Sequence, residues 1–137
     1  GIFILGRAPV APGFPTQLKG LEGVGNAFGG DEPEDYSGVL RYVRIWHAGA
    51  RRSSCGDDYN GLTLAGVGNR TVVSHVETAF SLDDGFQFFG GTVNADHLSS
   101  LFPGDDGFDC EAGYDGRLQF LFALLGTEGD HGLEMSA

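Results

Sequence analysis

Asp83-Asp84-Gly85-Phe86-Gln87-Phe88-Phe89-Gly90-Gly91-Thr92-Val93-Asn94 is the stretch whose reading decides the fold. Its kernel, Asp84-Gly85-Phe86-Gln87-Phe88, returns in similar chemistry as Asn60-Gly61-Leu62-Thr63-Leu64, as Asp106-Gly107-Phe108-Asp109-Cys110 and as His131-Gly132-Leu133-Glu134-Met135. The glycines step by 24, 22 and 25 residues. A unit this short, whose length varies slightly, suits one coil of a solenoid. Within each copy apolar and polar residues alternate, which is the period-2 signature of a half-buried strand. If the coils stack in register, Leu62 and Leu64, Phe86 and Phe88, Phe108 and Cys110, and Leu133 and Met135 form an inward apolar ladder. Successive rungs would lie about 4.8 Å apart. Thr63, Gln87, Asp109 and Glu134 form the outward row.

Working outward, a second strand falls between successive copies, at 71–76, 92–98 and 118–124, with 39–46 in an earlier coil. Glycine pairs at Gly66 and Gly68, Gly90 and Gly91, Gly113 and Gly116, and Gly126 and Gly129 mark the corners between them. Many of the 24 glycines thereby gain a reason, because corners need positive φ or close backbone approach. No long segment has a helical period. The amino-terminal part is less regular: Ile2–Leu5 and 17–21 read as strands of the first coil, joined by a turn through Pro9, Pro12 and Pro15. Residues 23–37 and 49–59 read as loops projecting from the coil, where a rigid scaffold places function. The fold class expected is all-β, a right-handed parallel β-helix with coils of about 22–25 residues.

Composition narrows the partners. The chain has 137 residues, 41% hydrophobic and 12% aromatic, which suffices for the core of one domain. Its formal net charge of -11 repels phosphate backbones and anionic lipid, so nucleic acid is excluded as a partner class and cations or neutral glycans are favoured. The longest apolar runs fall far short of the roughly 20 residues a membrane-spanning helix requires. The chain starts at Gly1 without a methionine, and a cut solenoid exposes open sheet edges. The expectation is one β-helix segment over 1–137, part of a longer chain or of a stacked assembly with further β-helical coils or neighbouring subunits.

The strings GIFILGRAP, QLKGLEG, GGDEPEDYSGVLRYVRI, NGLTLAGVGNRT, SHVETAFSLDDGFQFFGGTVN, DDGFDCEAGYDGRLQF and HGLE resemble a family of secreted or lipid-anchored surface proteins with the pectin-lyase-like β-helix fold. The resemblance covers essentially the whole chain. It implies the fold and an extracellular or cell-surface setting, and it brings no catalytic residues to transfer.

Several residues are candidates for chemistry. Asp83, Asp84, Asp105 and Asp106 occupy equivalent corners 22 residues apart, so stacking gathers four carboxylates that repel unless something neutralises them. One reading is a calcium site built from these four, with Asp109 as a further oxygen donor. The other is that each acid accepts backbone N–H hydrogen bonds at the turn before its strand. Asp84, Asp106 and Asp109, assisted by His131 or His97, are the candidates for acid–base hydrolysis of a polysaccharide. These acids repeat with the coil rather than converging once, which speaks against catalysis. Arg41, Arg44, Arg51 and Arg52 gather positive charge that either pairs with neighbouring acids or meets acidic sugars. His47, His75, His97 and His131 lack the helical or loop spacing of a transition-metal motif. Asn69-Arg70-Thr71 is a glycosylation sequon at a corner. Cys55 and Cys110 could be bridged, but Cys110 falls on the inward ladder and Cys55 in a polar loop, which favours a free thiol. The function expected is a non-catalytic structural or adhesive extracellular module, with a carbohydrate-binding or carbohydrate-active β-helix as the alternative.

Overall fold

The alternating phrases form short strands because side chains of an extended chain point alternately to its two faces. They are β3 (Leu62–Ala65), β5 (Phe86–Phe89), β7 (Phe108–Glu111) and β9 (Glu134–Met135), preceded by β1 (Ile2–Leu5). The structure, a computed structural model, describes residues 1–18, 25–50 and 59–136. The strands stack in the order β1-β3-β5-β7-β9 and every pairing is parallel. The register is the one the repeat requires: Leu62 pairs with Phe86 and Phe86 with Phe108, while Leu64, Phe88, Cys110 and Met135 form a second column. A second parallel sheet contains β2 (Val39–Trp46), β4 (Val72–Ala79), β6 (Asn94–Leu101) and β8 (Leu118–Leu124), in the order β2-β4-β6-β8. From β2 onward the strands alternate between the two sheets, so each coil adds one strand to each. This is an all-β parallel β-helix.

Between the sheets lies the core. Leu62, Leu64, Phe86, Phe88 and Phe108 meet Val73, Val76 and Leu98, and all are buried. The Phe86 and Phe108 rings stack at 5.1 Å with their planes 16° apart. Each such fully buried side chain contributes roughly 1.5–3 kcal/mol of transfer free energy.

The corners hold a feature that the glycine reading missed. Among the described residues, eight other than glycine have positive φ, and most fall into columns repeating with the coil. Tyr42, His75, His97 and Phe120 form one column, with φ between 53° and 57°. His47, Phe80 and Phe102 form a second. Only the third column, Gly66, Gly90 and Ala112, uses small residues. The first column lies inside β2, β4, β6 and β8, where the pairing steps over the equivalent residue of both strands and keeps its register, so each is a left-handed residue that bends its strand in step with its neighbours. The left-handed residue shifts the alternation by one place, and Val73 and Val76 therefore both face inward although three residues apart. This explains why β4 and β6 run on to Ala79 and Leu101, beyond the ends expected at 76 and 98.

Three further expectations are corrected. The row Thr63, Gln87, Asp109 and Glu134 is in register but mostly does not face solvent: Thr63 and Asp109 are buried, Gln87 is half-buried and only Glu134 is exposed. Pro15, Gln17, Leu18 and Phe28 share a cleft wall with Thr63 and Gln87 and shield that face. Leu133 and Met135, expected in the inward ladder, are exposed, because no rung is stacked on β9 among the described residues. Of the strand expected at 17–21, the described part makes a single antiparallel bridge, Gln17 to Ala27, and 19–21 lie outside the described residues.

Candidate functional site

The residue before each repeated glycine is Asn60, Asp84, Asp106 or His131, and stacking places the four in one column. Their side chains join coil to coil. Asn60 Oδ1 accepts the backbone N–H of Asp84 at 3.1 Å, Asp84 Oδ1 accepts that of Asp106 at 3.1 Å, and Asp106 Oδ1 accepts that of His131 at 2.8 Å. An N–H at the entry to a buried strand needs such a partner. The acceptor is the equivalent residue of the preceding coil, rather than an acid of the same turn. Burial, aided by the Asp83 charge, pushes the Asp84 carboxyl up to about 8, so it is largely neutral at pH 7. A neutral carboxyl keeps a carbonyl oxygen and still accepts the Asp106 N–H.

Beside the column, on the outer face of the first sheet, opens a cleft of about 270 Å³. Phe3, Phe28, Tyr59 and Phe89 form its apolar walls, with Phe3 edge-on to Tyr59 at 5.4 Å and Phe28 edge-on to Phe89 at 5.7 Å. A polar strip crosses it. The Asn60 amide donates to Gln87 Oε1, and the Gln87 amide donates to Asp109 Oδ2 at 3.0 Å and to Glu111 Oε1. Burial raises the Asp109 carboxyl, and burial followed by the Asp109 charge raises that of Glu111. Asp109 Oδ1 is buried without a hydrogen-bond partner. Apolar walls around a few convergent polar groups, with displaced carboxyl pKa values among them, are the features of a small-ligand site.

The sequence candidates divide between neighbouring groups. Asp83, Asp84 and Asp105 each offer an oxygen within 4.8 Å of the others, whereas Asp106 groups with His131 and Glu134. His131 Nδ1 lies 3.1 Å from Asp106 Oδ1, and that contact, with the Asp130 charge, raises the imidazole pKa. His97 is on the second sheet, among neither group. Arg44 approaches Glu77 at 3.5 Å and lies over the Trp46 ring; Arg41 is exposed on β2, and Arg51 and Arg52 lie outside the described residues. Asn69 is exposed in a turn. Cys110 is a buried free thiol, pushed up to about 12 by burial; Cys55 lies outside the described residues.

The outer face of the second sheet carries a group that the sequence reading passed over. The rings of Tyr42, His75, His97 and Phe120 stack in series at 4.7, 4.3 and 4.6 Å. The His97 contact, then the Ser74 hydroxyl, holds the Asp96 carboxyl below the usual carboxylate range. This pair has no helical or loop spacing, since in a solenoid neighbours lie one coil apart. His75 and His97 are 22 residues apart, the same step as Gly85 to Gly107.

A family model, the pectate-lyase like beta helix domain, matches residues 1–137, and the chain belongs to that family. Comparison with curated proteins and with solved structures finds no match in either. No helix among the described residues is long and apolar enough to cross a membrane.

Proposed function

Taking membership of the pectate-lyase-like β-helix family as the premise, we propose that this chain is an extracellular structural and adhesive module that holds glycans without cleaving them. The observation that supports this reading is the column Asn60, Asp84, Asp106 and His131. The acids that a hydrolase would use as proton donor and base are occupied in holding the next coil. The first position of the same column is Asn60, which cannot ionise, so the column works without charge. Hydrolysis needs a carboxyl pair free to exchange protons across a scissile bond. The cleft at Gln87 and Glu111 offers amide and carboxyl groups between aromatic walls, which suits a sugar's hydroxyls and apolar face. Further β-helical coils or neighbouring subunits are the partners this reading expects. Calcium at Asp83, Asp84 and Asp105 belongs to it as well, with water completing the six to eight oxygens the ion takes.

The second reading, polysaccharide cleavage, has one observation of its own. Asp84 and Glu111 line the same cleft, and both hold their protons above the usual carboxylate range. Such a carboxyl can donate a proton near neutral pH.

One set of measurements separates the two. The purified chain is incubated with polyuronides and with neutral glycans, with and without Ca²⁺, and binding, product release and melting temperature are followed. Retention of glycan with no new chain ends, and a Ca²⁺-dependent rise in melting temperature that Asp83→Asn and Asp105→Asn remove, are the expected results. Turnover that disappears in Glu111→Gln would replace the scaffold by the enzyme.

A further inference from the structure

Outside the cleft, the column of rings on the second sheet brings together nitrogen and oxygen donors that take no part in the backbone pairing of the strands. Each coil contributes one ring, at a residue of positive φ that the strand pairing steps over and whose side chain is exposed. In the two middle coils that ring is an imidazole. His75 and His97 lie face to face, centroids 4.3 Å apart and planes 10° from parallel. Asp96 stands beside them, with Oδ1 2.6 Å from His97 Nδ1. Ser74 Oγ donates to the same Oδ1 at 2.7 Å and lies 2.7 Å from His75 Nδ1.

Counting protons assigns the network. The single Ser74 hydroxyl proton goes to Asp96, so the contact with His75 is made by the His75 Nδ1–H donating to Oγ. Asp96, ionised, has no proton to give, so His97 Nδ1–H donates to it. Protons thus hold together two imidazole nitrogens and one carboxylate oxygen that lie within 4.8 Å of one another. A cation seated at this point replaces those protons, which the rings can move to their other nitrogen, and it requires the rings, 10° from parallel without it, to turn so that both in-plane lone pairs converge on it. We propose that His75, His97 and Asp96 bind a divalent transition-metal ion of the Zn²⁺ type. Two imidazoles and one carboxylate are a borderline-soft donor set that suits such an ion and does not suit Ca²⁺ or Mg²⁺.

The neighbouring coils supply the comparison. Tyr42 and Phe120 fill the same column at 4.7 and 4.6 Å from their histidine neighbours, tilted by 32° and 36°, so the column accepts an aromatic ring without a nitrogen donor. The two nitrogen-bearing rings occur in adjacent coils, on the two strands that also carry Ser74 and Asp96. The side chains of His97 and Asp96 are 47% and 45% exposed, leaving room for water on the remaining coordination positions. A groove of about 690 Å³ that Arg44, Glu77 and Ser99 also line borders the two rings but not Asp96.

The test uses the whole chain, stripped of metal by a chelator, titrated with Zn²⁺ alone and followed by calorimetry. About one equivalent should bind at this site. His97→Phe, which copies the ring Phe120 places one coil on, should keep the metal-free melting temperature and weaken binding by about tenfold or more, as loss of a ligand demands. Asp96→Asn should weaken it with the stack left whole, which keeps the test decisive should the ring substitution disturb folding. His131→Ala should leave this binding unchanged, separating it from the group at Asp106. Absence of Zn²⁺ binding by the parent chain, or undiminished binding by a His75→Phe, His97→Phe double variant, overturns the proposal.

Discussion

Asn60 and Asp84 do the same work in adjacent coils, and the comparison shows what the carboxyl at position 84 is for. Each offers one oxygen to the backbone N–H of the next coil, and only Asp84 carries an ionisable group into a buried place. Asp84→Asn keeps the acceptor and removes the cost of holding a proton on a carboxyl that the unfolded chain ionises, so its melting temperature at pH 7 should equal or exceed that of the parent. Asp84→Ala leaves the Asp106 N–H unsatisfied in the interior and should cost about 1–3 kcal/mol in a denaturant titration. A larger loss from the asparagine than from the alanine would show that the charge, and not the hydrogen bond, matters here. The sequence displayed the repeating Asn/Asp before glycine. It could not display the partner, because a residue that accepts from the next coil and one that accepts from its own turn look alike in one dimension.

At the scale of the strand, two devices make the coils close. The glycines at 61, 85 and 107 stand where the backbone passes the next layer of the coil: a Cβ on Gly85 would fall on Ser100 Oγ and come within 2.8 Å of the Gly107 carbonyl and of Thr78 Oγ1. Gly85→Ala should therefore cost about 1–3 kcal/mol or more, measured by the shift in denaturation midpoint, through overpacking. An effect below 0.5 kcal/mol would mean that the turn has room the structure does not show. The second device is the positive-φ aromatic columns. A left-handed backbone costs an L-residue roughly 1–2 kcal/mol, and a stacked aromatic pair contributes about 0.5–1.5 kcal/mol. Stacking thus offsets much of the strain, and Tyr42, Phe80, Phe102 and Phe120 can stand where a glycine would be expected. The period-2 pattern carried β3, β5 and β7 plainly. It blurred in β4 and β6, because a left-handed residue shifts the alternation at His75 and His97.

Across the whole molecule, acids gather along one face, and their pKa values set how stability varies with pH. The Asp84 carboxyl is raised from 3.8 to about 8, and those of Asp109 and Glu111 are raised too. Between these limits the folded chain holds protons that the unfolded chain has released, so stability falls as pH rises from about 4 towards 8. The melting temperature should be higher at pH 5 than at pH 8, and Asp84→Asn should flatten the slope; a parent chain that is more stable at pH 8 would contradict this assignment. The coil period, the strand register and the family of the fold were written in the sequence, because in a solenoid neighbours recur at a fixed step and one repeated phrase determines every rung. The tertiary structure alone decided which polar side chains are covered, which acids meet, and that His75 lies against His97. Those outcomes depend on loops crossing the sheet, which have no periodic signature, and on left-handed residues that do repeat with the coil but are not glycines, so residue type does not reveal their backbone.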